Sequence, residues 1–447
     1  MKKLNIILII LMIITPLVCG FVWISDSSKC EIIYELDGGV NSPSNKTKYL
    51  KADGIIILED AEKEGYDFLG WYLSEDFDED TKVVELDVSE ADEIKVYAKF
   101  IQVLYYNSSS GTLTGITDYG KQKTEIEIPE SCTEISLIAF HNATKLEKVD
   151  ASKCENLKTI GTKAFYTCVN LKEVLLPKNI EEIGSCAFSA ETISKLQFPN
   201  GSINYIIEDN CLINKTTKTL QIAGINPSIP SGIEIIGEYA FSLNKEITKI
   251  NIPDSVKILK SHAFANCHNI EEINISDNSG LQIVEKYAFG YCYKLKTINL
   301  PSGVHEMGNG VFANCENLQS FSYPAGMNVK VISCSMFYGC KSLKSIVIPE
   351  GVEVIEDDAF ANCSSLTTIV IPDSVKRIGG DAFRDSKNLK SATISGEWKI
   401  KPHCRQSVKI DAQIIEDKEL FAKSLTTNYI ASRYIGDPYM FFEWIKI

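Results

Sequence analysis

The sequence predicts a mainly β fold, a solenoid of short stacked coils carrying a parallel sheet, and three observations predict it. Ten phenylalanines recur at Phe140, Phe165, Phe188, Phe241, Phe264, Phe289, Phe312, Phe337, Phe360 and Phe383, with intervals of 25, 23, 53, 23, 25, 23, 25, 23 and 23 residues. Seven prolines, Pro129, Pro177, Pro230, Pro253, Pro301, Pro349 and Pro372, each stand eleven residues before one of them. Short apolar alternations such as Ile346-Val347-Ile348 precede these prolines. A unit of this length cannot bury its own apolar face, so neighbouring copies must bury it together.

Each element of a coil has a local reason. Alternation sends every second side chain inward, which suits a strand covered on one face. Proline cannot donate to a ladder, so it ends the strand and sets the corner. The phenylalanine, usually preceded by alanine, fills the far end of the coil. The 53-residue interval is one regular coil plus about thirty residues, Asn204 to Gly232, with strand-like Tyr205-Ile206-Ile207 and Leu220-Gln221-Ile222, and reads as a hairpin-bearing coil.

The 447 residues are 45% hydrophobic and 23% charged, a composition of folded material. A net charge of −14 without any basic run excludes a nucleic-acid partner as the expected reading. The chain opens Met1-Lys2-Lys3 and continues uncharged from Leu4 to Ile24, a length that at about 1.5 Å per residue reaches roughly the 30 Å of a bilayer core. Residues 1–25 are thus a signal peptide or a transmembrane anchor, with a lipid-bearing Cys19 as a third option. Each exports the rest of the chain and leaves the membrane as a partner through this segment.

Residues 31–100 lack the later period. They hold strand-like Ile32-Ile33-Tyr34, a turn at Asp37-Gly38-Gly39, the block Gly65-Tyr66-Asp67-Phe68-Leu69-Gly70-Trp71-Tyr72 and the closing strand Val96-Tyr97-Ala98. That combination resembles the Listeria-Bacteroides repeat, also called the internalin B B-repeat. The resemblance implies a small ubiquitin-like β-grasp module of bacterial surface proteins and no particular ligand.

Residues 101–130, rich in Asn, Ser, Thr and Gly, are a connector that begins the first coil, and 131–396 are the solenoid. The pattern L-x-x-I-x-I-P-x-S-V-x-x-I-G-x-x-A-F, nearly verbatim from Leu366 to Phe383, closely resembles the BspA-like leucine-rich repeat. That resemblance implies a right-handed leucine-rich solenoid of about eleven coils, displayed on a microbial surface and associated with adhesion to host matrix proteins and other microbes. A Leu-Pro-x-Thr-Gly sorting motif is missing. Residues 397–447, with Trp398, Tyr434, Tyr439, Phe441, Phe442 and Trp444, are a C-terminal cap, because a solenoid's open end must be covered.

Function must then lie on a surface. Residues between the inward isoleucines form two outward columns, one running Lys249, Glu272, Thr297, Ser320, Ser345, Thr368 and Ser391, the other Asn251, Asn274, Asn299, Ser322, Val347, Val370 and Thr393. A long, shallow, mostly uncharged face suits an extracellular protein or polysaccharide. The same small residues also serve any exposed sheet, and stacked asparagines can satisfy one another.

Chemistry finds little support. Cys168, Cys267, Cys292, Cys315, Cys340 and Cys363 each follow a repeat phenylalanine by three residues, so their Cβ atoms point in parallel and they read as buried free thiols and not disulfides. His141, His262, His268, His305 and His403 have no metal-ligand spacing, and those flanking Phe264 read as solvated loop residues. Pro402-His403-Cys404 lacks an evident base and oxyanion pocket. Asp357-Asp358 and Glu181-Glu182 read as solvated edges. No cofactor, metal or catalytic residue is expected. The expected role is non-catalytic recognition outside the cell, the alternative a self-associating envelope spacer.

Overall fold

The computed structural model describes residues 30–393, 398–402 and 442–446. The expected membrane segment at residues 1–25 lies outside the described residues, as do His403, Cys404 and most of the expected cap. Among the described residues there is no α-helix, and no helix is long and apolar enough to cross a membrane. The chain forms two compact units, divided after Val103.

The first unit contains strands β1 (Cys30–Glu35), β2 (Lys48–Tyr49), β3 (Ile55–Ile57), β4 (Tyr66–Tyr72), β5 (Lys82–Val83), β6 (Glu85–Asp87) and β7 (Glu93–Gln102). Five make one sheet in the order β2-β1-β7-β4-β5, with β1 and β7 parallel at its centre, the strand arrangement of a β-grasp. Between β2 and β3 the chain makes a single 3-10 turn at Lys51–Asp53, ended by Gly54 at φ 71° and succeeded by the triple isoleucine of β3, whose β-branched side chains favour a strand. Tyr34 and Phe68 meet buried Trp71 edge-on at 5.2 and 5.4 Å, and the Trp71 indole donates to the Glu59 carbonyl at 2.9 Å. Gly39 N–H closes the expected turn on the Leu36 carbonyl, with Asp37 and Gly38 at φ 44° and 80°.

In the second unit each coil contributes to two parallel ladders, where the sequence suggested one. The first holds the expected Ile-x-Ile strands: Glu125–Glu127, Lys148–Asp150, Glu173–Leu175 and Leu196–Gln197; then Lys249–Ile252 with Glu272–Ile275; then Thr368–Val370 with Ser391–Thr393. The second, past the proline corner, runs through Glu134–Ile135, Thr159–Ile160 and Glu182–Ile183, and again from Thr219–Ala223 to Glu306–Met307 and from Val331–Ile332 to Arg377–Ile378. The corner between the ladders is a β-turn in which the carbonyls of Pro129, Pro253, Pro301, Pro349 and Pro372 accept from the third residue on. Between Glu272–Ile275 and Thr368–Val370 the first ladder thins to isolated bridges. Phe321 and Tyr323 occupy its inward positions there, and Phe321 wedges against Phe312 and Phe337 at 4.9 and 5.3 Å.

The ten phenylalanines are buried and stack coil on coil, as Phe140–Phe165–Phe188 and as Phe241 through Phe383, with centroids 4.5 to 5.8 Å apart. Around each ring the backbone turns tightly, and non-glycine residues such as Ile138, Lys163, Tyr239 and His262 take φ between 52° and 59°. Bonds between coils offset that strain: Ile138 N–H donates to Thr162, Phe140 N–H to Ala164 and Phe264 N–H to Ala288.

The expected hairpin-bearing coil is an antiparallel meander of Tyr205–Glu208, Cys211–Asn214 and Thr219–Ala223, whose last strand joins the second ladder. The expected connector is also ordered. Leu104–Asn107 and Thr112–Ile116 form a hairpin whose second strand pairs with Glu134–Ile135, so the solenoid starts inside it. At the other end, Phe442–Lys446 pairs antiparallel with Arg377–Ile378 and with Trp398–Pro402.

Candidate functional site: the outer face of the first ladder

Strand alternation fixes this face. Ile250, Ile252, Ile273, Ile298, Ile346 and Ile369 are buried, so the residues between them stand outward. Lys249, Asn251, Glu272, Thr297, Asn299, Ser320, Ser322, Ser345, Val347, Thr368 and Val370 are exposed, and Asn274 is half-buried. Backbone pairing puts Lys249 opposite Glu272, Asn251 opposite Asn274, Val347 opposite Val370 and Thr368 opposite Ser391.

The face has two chemically different halves. At its start the side chains satisfy one another. Lys249 meets Glu272 at 2.8 Å and holds its carboxyl below the usual carboxylate range, while the Asn274 amide donates to the Asn251 carbonyl oxygen at 2.8 Å. From Thr297 to Val370 the columns hold no charge, and Val347 and Val370 are 81% and 60% exposed. An open row of hydroxyls, one amide and two valines is left for solvent or a partner.

Elsewhere lysines and glutamates pair between coils, as Lys148–Glu173 at 2.9 Å, Lys158–Glu181 at 2.8 Å and Lys376–Glu353 at 2.8 Å. A shallow, polar depression of about 580 Å³ is lined by Glu130, Ser152, Lys153, Glu155, Asn156 and Asn200. No cluster of three His, Cys, Asp or Glu side chains suited to a metal occurs among the described residues.

The six repeat thiols are free and buried, and they also donate. Cys168, Cys267, Cys292, Cys315, Cys340 and Cys363 each reach the phenylalanine carbonyl of the coil before at 3.0 to 3.4 Å, and in the last coil Ser386 makes the same bond to Phe360 at 2.7 Å. Burial pushes the Cys168, Cys315 and Cys363 thiols up to about 12, which leaves them protonated and inert.

Two expectations need correction. His262 and His268 are half-buried and not solvated: His262 lies between Tyr239 and Tyr287 at 4.6 and 5.3 Å, and His268 stacks on Tyr293 at 4.6 Å. Their positions on successive coils bring aromatic neighbours that the linear sequence separates by 23 or 25 residues. Asp358 is likewise no solvated edge, because the turn folds it against Arg384 at 3.0 Å and beside buried Asp381.

The profile of the BspA type Leucine rich repeat region matches residues 118–226, 225–332 and 325–419, and that of the Listeria-Bacteroides repeat domain matches residues 31–99. Among solved structures, the chain is similar to a leucine-rich cell surface protein from Faecalibacterium prausnitzii A2-165, with 28% identity over 61% of this chain and 79% of that one and a TM-score of 0.40. It is similar also to a leucine-rich repeat protein from Bacteroides ovatus ATCC 8483, with 23% identity, coverage of 66% and 77% and a TM-score of 0.35. The pneumococcal vaccine antigen PcpA shows 19% identity, coverage of 63% and 81% and a TM-score of 0.42. No curated protein matches the chain. The chain belongs to the BspA-type leucine-rich repeat family and carries a Listeria-Bacteroides repeat domain ahead of its solenoid.

Proposed function

We propose that this protein is an extracellular, non-catalytic binding protein of a bacterial surface, an adhesin whose solenoid face recognises host matrix proteins, other microbes or glycans. The observation that carries this reading is the uncharged outer row from Thr297 to Val370, exposed over an apolar core. Such a row offers an extended partner many weak contacts at regular spacing, and its rigid backing keeps the ordering cost of binding low. Membership of a repeat family with a cell-surface relative supports the setting, and the apolar start of the chain supplies a route out of the cytoplasm.

The test places bulky charges on the face. In cells displaying the protein, Ser345→Arg, Val347→Glu and Thr368→Arg together should abolish adhesion to immobilised matrix proteins or partner cells while the melting temperature stays unchanged. Unchanged adhesion removes this face. The alternative, a self-associating envelope spacer, would instead show concentration-dependent oligomers of the purified protein and no adhesion to any surface.

A further inference from the structure

A second surface stands apart from the ladder face, at the phenylalanine corner of three consecutive coils. Two residues before the ring, Tyr239, His262 and Tyr287 stack on one another, and the stack closes where the next coil has Gly310: a Cβ there would run into the Tyr287 ring. These rings have neighbours on their faces. Four residues after the ring the situation differs. His268 stacks on Tyr293, Tyr291 meets Tyr293 edge-on at 6.4 Å, and Tyr291 is exposed. The phenylalanine column already fills the interior, so this aromatic group adds nothing to it.

A further observation points to what would cover the cluster. Lys245, one coil before His268 in the same register, and Lys294, next to Tyr293, are exposed and form no ion pair with a described residue, unlike the many lysines paired between coils. Exposed aromatic rings favour the C–H faces of a sugar, and cations favour its carboxylate or sulfate.

We propose that the corner formed by Lys245, His268, Tyr291, Tyr293 and Lys294 is a binding site for an acidic polysaccharide. Two lysines do not make the basic stripe that tracks successive phosphates, so a single-stranded nucleic acid, which also stacks on aromatics, fits less well.

The experiment measures binding of the purified full-length chain to immobilised polygalacturonate, heparin and dextran by interferometry. The chain should hold one or both acidic polymers at least about tenfold more tightly than dextran, and added salt should weaken that binding. Tyr291→Ala with Tyr293→Ala, and separately Lys245→Gln with Lys294→Gln, should each reduce affinity about tenfold or more. The lysine pair leaves the ring packing intact, so its effect cannot come from misfolding. Lys178→Gln with Lys195→Gln removes the same charge elsewhere on the solenoid and should change nothing. The proposal fails if neither acidic polymer binds, if dextran binds equally, if the distant lysines matter as much as the corner ones, or if an oligothymidylate binds more tightly than both acidic polymers.

Discussion

The hydroxyl of Tyr205 accepts the backbone N–H of Ile183 at 2.9 Å, while the Gln221 side-chain amide donates to the Ile183 carbonyl at 2.8 Å. In a regular coil the next strand takes such groups, as when Gly184 N–H reaches the Ile160 carbonyl. The inserted meander thus completes an interrupted ladder with side chains.

Tyr205→Phe leaves a buried N–H without its partner, so the solenoid should lose about 1–3 kcal/mol in denaturant unfolding. A loss below a few tenths would mean that the hydroxyl does not satisfy Ile183.

The ring stack predicts how damage spreads. Phe289 lies between Phe264 and Phe312 at 5.7 and 5.8 Å, so Phe289→Ala should cost about 3–5 kcal/mol. Coils contact mainly their neighbours, so hydrogen exchange should accelerate first around Phe264 to Phe312, with the coils of Phe140, Phe165 and Phe188 still protected. Uniform loss of protection would contradict this.

The thiol ladder predicts alkaline lability. Cys315 and Cys363, with an ordinary value of 9.0, are raised to about 12 by burial. The native state keeps protons that the unfolded chain releases above about pH 9, so stability falls as pH rises, by about 1.4 kcal/mol per pH unit for each such thiol. Urea midpoints at pH 8 and 10 should separate accordingly, and less so in a Cys315→Ser, Cys363→Ser variant. Ser386 already shows that a hydroxyl serves this position.

Asp381 sits in the opposite regime from a salt-bridged surface acid. Its side chain is 7% exposed, and burial raises its carboxyl above the usual range against the pull of Arg384. The native state therefore binds this proton more strongly than the unfolded chain, and stability declines as pH rises from the acid range towards neutrality. Asp381→Asn should raise the melting temperature at pH 7 and lose that advantage at pH 3. A lower melting temperature at pH 7 would show that the Arg384 contact outweighs burial.

Some of this was legible in the residues and some was not. The phenylalanine period, the proline corners and the Ile-x-Ile alternation identify coil, turn and outward columns, because each is a local preference repeated in register. The second ladder was harder to see: its strands are mostly two residues long, too short for alternation to register, and they exist through pairing with the next coil. Spacing allowed stacked asparagines to satisfy one another, and the structure shows that Asn251 and Asn274 do so while Thr297 to Val370 stand open.

Sequence by itself determined the repeat, the inward rings and the protonated thiols' common position, since stacking identical units carries each local choice along the whole solenoid. Tertiary structure alone decided which side chains meet between coils: the Tyr239–His262–Tyr287 stack, the Ser386 hydroxyl on the Phe360 carbonyl and the Asp358–Arg384 pair. The physical reason is distance. Residues more than twenty positions apart become neighbours only when one coil lies on the next, and the energy of that contact depends on packing that no single coil contains.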